Sequence, residues 1–592
     1  TAQGTVDVNG AVAHTGNISI TSNTSHVTLQ TATAGANVTI TAQNDVLVGT
    51  VTSEGGSVHL TATGNLAVES AEAQEDITLV AETGNVNVDD VTSELGAITM
   101  TAQGTVDVNG AVAHTGNINI ASNTSDVALQ TATAGANVTI TAQNDVLVGT
   151  VTSEGGNVHL TAVTGDVPLG VVHASEGTVR VSAKGSITGQ ATETSITAKN
   201  IELYAATGTV GQAASPLNID SSKSDRGHVI ARAQNGVYLY EVDGDLNIQD
   251  VEAVTGDVVI SADGSITGGY VKGEDITLSS TNGSIGQSNA YTRTAARGKI
   301  AAKALGSVYL EQLGGDFIAD QILAAQGSIG LRVPDGGIRI ANLQARDGVT
   351  LRSSNDLWMG QASATDFDLT VLGTGRSLTV DKMYAVRSLG AYADHIVLPS
   401  VEHTGSEPIV VAIGGGSKPV ADTVIINVKS PIGVVFAKMQ AANMDLQADT
   451  DHLALTNVVV SKKATFKNRY HTVVIDNVER KIYPNVALQL YPQDRPFSLT
   501  LGADRQIWTT ARAVNYNDHF IINEFGTTNS VTRITTKLAE VEGAMRQPVF
   551  GLHRISRLRN GDRPVDINNT SDEQEDKEDD LVWEPIQISS AI

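Results

Sequence analysis

The chain has 592 residues, with 38 Lys plus Arg against 64 Asp plus Glu, a net charge of −26 and no cysteine. That acidity argues against nucleic acid as a partner, and the missing thiols exclude disulfides and thiolate metal sites. No run of about 18 apolar residues occurs, which excludes a membrane-spanning helix.

Gly4–Gln103 divides into five coils of about 20 residues, opening at Gly4, Thr24, Asn44, Gly64 and Gly84. The block restarts almost letter for letter at Gly104 and the copy holds to Thr161. Counted from zero in each coil, apolar residues fall at offsets two and four, as in Val46 and Val48 or Val86 and Val88. They fall again at fourteen and sixteen, as in Val38 and Ile40 or Ile98 and Met100. Each pair encloses one residue, usually polar, the mark of a short strand with one face inward. Ala11, Val51, Ala71 and Val91, at offset seven, predict a third, narrower inward face. Gly, Asn, Asp and Ser between these positions supply the corners. Val27 and Leu29 come one residue late, and Ile77 and Leu79 one early. Corners absorb such slips, whereas a slip inside a strand flips every side chain.

Three short strands per coil, stacked on like neighbours, predict a parallel β-helix, an all-β solenoid. Comparison of the two copies tests the phase. They differ at Ser19/Asn119, Thr21/Ala121, His26/Asp126, Thr28/Ala128 and Ser57/Asn157, all expected to point outward. A packed ladder penalises change and a solvated face does not. The block therefore reads as a duplicated spacer, residues 1–163. The chain opens in mid-repeat, Thr1–Gln3 matching Thr101–Gln103, as expected of a piece of a longer repetitive protein.

Irregular coils are expected over 164–403. Gly-led corners recur at Gly185–Gln190, Gly208–Gln212, Gly264–Gly269, Gly283–Gln287 and Gly327–Gly330. Strand pairs such as Ile201-Glu-Leu203, Val237-Tyr-Leu239 and Ile338-Arg-Ile340 lie between them. His403–Pro419, with two prolines and three successive glycines, reads as a loop or the start of a new domain. Residues 404–530 are then terminal coils or an irregular β-rich cap, since a solenoid end must be covered. Over 531–592 the sequence predicts a short helix at Thr535–Met545, a basic stretch from Arg546 to Arg563, and a solvated acidic tail at Ser571–Asp580.

Chemistry is sparse. The nearest paired carboxylates are Asp243–Asp245 and Glu274–Asp275, and corner carboxylates are the plainer reading. Asp89–Asp90 and Asp243–Asp245 are weak cation candidates, without calcium-repeat or EF-hand spacing. His14, His59, His114 and His159 do not cluster. Outward Thr39, Thr41, Thr61, Thr99, Thr101, Thr139, Thr141 and Thr161 form an array of the kind that could bind ice or carbohydrate, but it is broken at Ser19, His59 and Ala121, and β-propensity is the plainer reading. No catalytic, cofactor or metal residue is assigned, and no cofactor is expected.

Coils of the form G-[ST]-V-x-V…G-x-I-T-[IL]-T, the GSIG corners and GTVGQAASPLNID at Gly208–Asp220 resemble the filamentous-haemagglutinin-like large exoproteins over about residues 1–400. YHTVVIDN at Tyr470–Asn477 and DRPFSLTLGADRQIWT at Asp494–Thr509 are similar to the ends of two-partner-secreted biofilm adhesins of that group. The resemblance implies a right-handed β-helix exported by an outer-membrane two-partner transporter to the bacterial cell surface. It also implies a non-enzymatic role in attachment, cell–cell aggregation or binding of matrix polysaccharide. The family's cysteine hook has no counterpart here. A structural subunit of an extracellular filament, built by self-association, is the alternative, and a β-helical carbohydrate-active enzyme a more distant one.

Overall fold

The computed structural model describes residues 1–190, 193–222 and 227–450 in full, and the backbone of seven strands between Leu453 and Glu524. The expected helix at Thr535–Met545, the basic stretch and the acidic tail lie outside the described residues. Among the described residues there is no helix; parallel strands stack as a β-solenoid of about 22 turns. The chain forms two compact units, divided between Ser354 and Asn355.

In the first unit each spacer coil carries two strands, not three. Val46–Ser53 and Val58–Ala62 are one such pair. The longer strand supplies two inward faces. Val46 and Val48 point in, Gly49 and Thr50 both point out, and Val51 and Ser53 point in again. Two successive outward residues reverse the alternation, so the sheet turns a corner while its ladder continues. The pairing skips one residue at that bend, running Val48↔Val68 and then Thr50↔Ser70.

The core is the set of inward ladders. Val38, Ile40, Val58, Leu60, Ile77, Leu79, Ile98 and Met100 are all at most 1% exposed, each stacked on its equivalent one coil away. The late and early coils keep this register. Val6 pairs with Val27 and Val27 with Val46, because the corner Asn23–His26 is one residue longer than Gln43–Asp45. All ten residues that differ between the two copies lie outside the core.

The inward set is larger than the apolar pattern. Each strand ends on a small inward residue, such as Ala34, Ala42, Ser53 and Ala62. Where that residue is serine it closes the corner. Ser53 Oγ donates to the Ala36 carbonyl at 2.6 Å and accepts from the Gly56 N–H at 3.1 Å. Ser93 and Ser153 repeat both bonds. A second ladder runs along the corners themselves. Asp45, Asn65 and Asn85 each accept, through Oδ1, the N–H of the equivalent residue in the following coil, at 2.7–3.0 Å. The Asn and Asp residues of the corners are thus backbone acceptors as well as turn formers.

From Thr164 the coils become unequal but keep the ladders. The Gly-led corners contain inward rungs. Ile187 pairs with Val167 and Val210, and Ile266 with Leu246 and Ile285; all are fully buried. Strands of two residues do here what eight-residue strands do in the spacer.

The second unit continues in parallel coils. His403–Pro419 contains the strand Ile409–Gly414, which pairs in parallel with Ser388–Tyr392 before it and Val434–Asp449 after it. The stretch is a coil with long corners, not a break. Parallel stacking reaches Val458–Asn468, on which Thr472–Asp476 pairs antiparallel. Val486–Gln489, Phe497–Leu501 and Phe520–Glu524 form a separate three-stranded sheet.

Candidate functional site

The sequence candidates for acid–base or metal chemistry do not converge. Asp245 accepts the Ser265 N–H at 2.6 Å and Asp275 the Lys299 N–H at 2.6 Å, both as corner acceptors. Glu274 is paired with Arg297 at 2.7 Å. Asp89 accepts from Asn109 Nδ2 at 2.9 Å, and Asp89 and Asp90 are exposed. His59 contacts Thr61 Oγ1 at 3.1 Å, and His114 faces Glu94 at 3.9 Å. Among the described residues no three His, Cys, Asp or Glu side chains come together as metal ligands would.

The Thr array is real as geometry. Thr39, His59, Thr78, Thr99, Asn119, Thr139 and His159 stand in one outward column on the short strands. Thr41, Thr61, Val80, Thr101, Ala121, Thr141 and Thr161 stand beside them. The columns do not end with the spacer. Strand pairing carries the first on through Arg180, Glu202, Ile230 and Asp250. It then passes through Tyr270, Arg293, Glu311, Arg332 and Arg352. The second continues through Ser182, Tyr204, Arg232, Glu252 and Lys272.

One sheet face therefore changes chemistry along its length. Arg180 is the first Lys or Arg of the whole chain. From there to Lys272 the charges pair between coils: Arg180 with Glu202 at 3.6 Å, Arg232 with Asp250, and Lys272 with Glu252 at 2.7 Å. Arg180 also lies 5.0 Å from the centre of the Tyr204 ring. Burial, reinforced by the Glu202 carboxylate, pushes the Tyr204 phenol above its ordinary value.

Beyond Tyr270 the first column holds Arg293, Arg332 and Arg352 with one carboxylate, Glu311, between the first two, and tyrosines stand beside it. Arg332 stacks over Tyr291 with its guanidinium 4.0 Å from the ring centre, and Tyr291 meets Tyr309 edge-on at 5.6 Å. Gly330, in the coil after Tyr309, makes this possible: a Cβ there would lie 2.6 Å from the Tyr291 hydroxyl and from the Tyr309 ring. Arg293 and Arg332 are exposed and form no ion pair among the described residues. Lys and Arg outnumber Asp and Glu between Tyr291 and Arg352, in a chain that is strongly acidic overall. A flat face with stacked rings and forked guanidinium donors is suited to an extended anionic or hydroxyl-rich polymer.

Sequence reasoning missed this strip. Its signal was the absence of Lys and Arg before Arg180, but the column is invisible until the register is known. Comparison of the chain with protein-family models, with curated proteins and with solved structures finds no match.

Proposed function

We propose that the chain is a non-enzymatic bacterial adhesin of the cell surface, resembling the filamentous-haemagglutinin-like exoproteins. The spacer coils act as stalk, and the strip from Tyr270 to Arg352 as the recognition face. The observation that carries this reading is the change of one outward column from Thr and His to Arg and Tyr along a continuous parallel ladder. A parallel ladder whose solvent side gains the exposed Arg293 and Arg332 beside stacked rings offers a binding surface on a β-helical scaffold. Its partners are extracellular polysaccharide or a neighbouring cell surface, with an outer-membrane two-partner transporter used in export.

The reading is tested by coating beads with the protein and measuring capture of matrix polysaccharide and of bacterial cells. Tyr291→Ala with Tyr309→Ala is expected to weaken capture about tenfold, the equivalent of about 1.4 kcal/mol. Absence of capture by the native protein would refute it, and oligosaccharide cleavage would favour an enzyme.

A further inference from the structure

The first unit carries a second charged surface, opposite in sign to the strip. The long strands Leu66–Ala73 and Val86–Ser93 are adjacent and parallel. Glu69 and Glu72 on the first, and Asp89 and Asp90 on the second, all point outward and are exposed. None of the four has a cationic partner among the described residues, and no Lys or Arg precedes Arg180 in the sequence. The coils that hold them are the two the duplication does not repeat, so this acidic patch occurs once.

The acidic patch lies on the long-strand ladder and the Arg–Tyr strip continues the short-strand ladder, so the two occupy different faces of the coil. We infer that the strip around Arg293 and Arg332 of one molecule docks on the Glu69–Asp90 patch of a second copy of this chain. Charge complementarity selects that occupant: the strip has exposed guanidinium groups without carboxylate partners, and the patch has exposed carboxylates without cations. Arg332 is held on the Tyr291 ring, so less side-chain freedom is lost when it meets a carboxylate. Because the two surfaces differ, the contact is heterologous. A docked pair still presents one free strip and one free patch, and association propagates rather than closing as a pair. This rests on the strip being a recognition face and adds its partner: adhesins on facing cells would bind one another.

The test is light scattering of the full chain against salt. Growing assemblies are expected at about 50 mM salt and their loss at about 500 mM, where charges are screened within a few ångströms. Arg293→Glu with Arg332→Glu, and separately Asp89→Lys with Asp90→Lys, should each abolish assembly while leaving the circular dichroism spectrum and melting unchanged. Mixing the two variants should restore it, because each supplies the surface that matches the other. A native protein that stays monomeric at low salt overturns the inference, as does assembly that survives both double variants. Native protein that assembles but captures no polysaccharide would refute the glycan reading alone.

Discussion

Glu241 occupies an inward rung of its coil, where the paired position one coil on is Ala262, and it is fully buried. Its carboxylate accepts the Ser221 N–H at 2.6 Å and the Ser221 hydroxyl at 2.7 Å. Burial pushes the carboxyl from 4.5 up to about 8; the Ser221 bonds oppose the shift, and the nearby Asp220 and Asp243 carboxylates add to it. Between those pH values the folded protein holds a proton that the unfolded chain has released. The contribution to stability is therefore complete below about 4.5 and lost as pH rises through about 8. Local hydrogen exchange in this coil should quicken from pH 5 to pH 8, after correction for intrinsic rates, and Glu241→Gln should flatten that dependence and protect the coil at pH 8. An unchanged pH dependence in the variant would contradict the assignment. Sequence reading picked out Asp243 and Asp245 and passed over Glu241, because a lone carboxylate at an inward position announces itself only once the strand phase of that irregular coil is known.

At the scale of the coil, cost should follow the face. Leu60 is fully buried and Thr61 faces solvent beside it. Leu60→Ala should cost about 2–5 kcal/mol and Thr61→Ala less than about 0.5 kcal/mol, read as local exchange in coils 38–81. Equal effects would reject the assigned phase. The corners give a second contrast. Gly286 has φ +67°, and a Cβ there would lie 2.3 Å from the Tyr309 carbonyl; Gly314 has φ +76° with open space around it. Gly286→Ala should therefore cost about 2 kcal/mol or more and Gly314→Ala about 1 kcal/mol. The Val, Ile and Leu rungs at offsets two, four, fourteen and sixteen were legible because large apolar residues repeat there. Ser53, Ala62 and their equivalents were not, since small residues are as common on corners as inside. Ile187, Val210 and Ile285 were hidden for another reason: a single apolar residue between glycines has no period to betray it.

At the scale of the whole molecule, charge is segregated along the sequence. The coils before Arg180 carry carboxylates without Lys or Arg, and the coils from Tyr291 to Arg352 carry the opposite balance. The parallel ladder aligns outward residues from coils some 20 residues apart into one column, so substitutions far apart in sequence meet on one surface. Strand phase came from local pattern, but that column required the spacing of every irregular coil. On the proposed function, recognition belongs to the strip and not to the spacer. This is tested most directly by measuring capture of bacterial cells by three forms of the full chain: native, Arg293→Glu with Arg332→Glu, and Thr99→Ala with Thr139→Ala. The Arg variant should lose capture by about tenfold or more while the Thr variant matches the native protein. Equal capture by the Arg variant, or loss confined to the Thr variant, would contradict it.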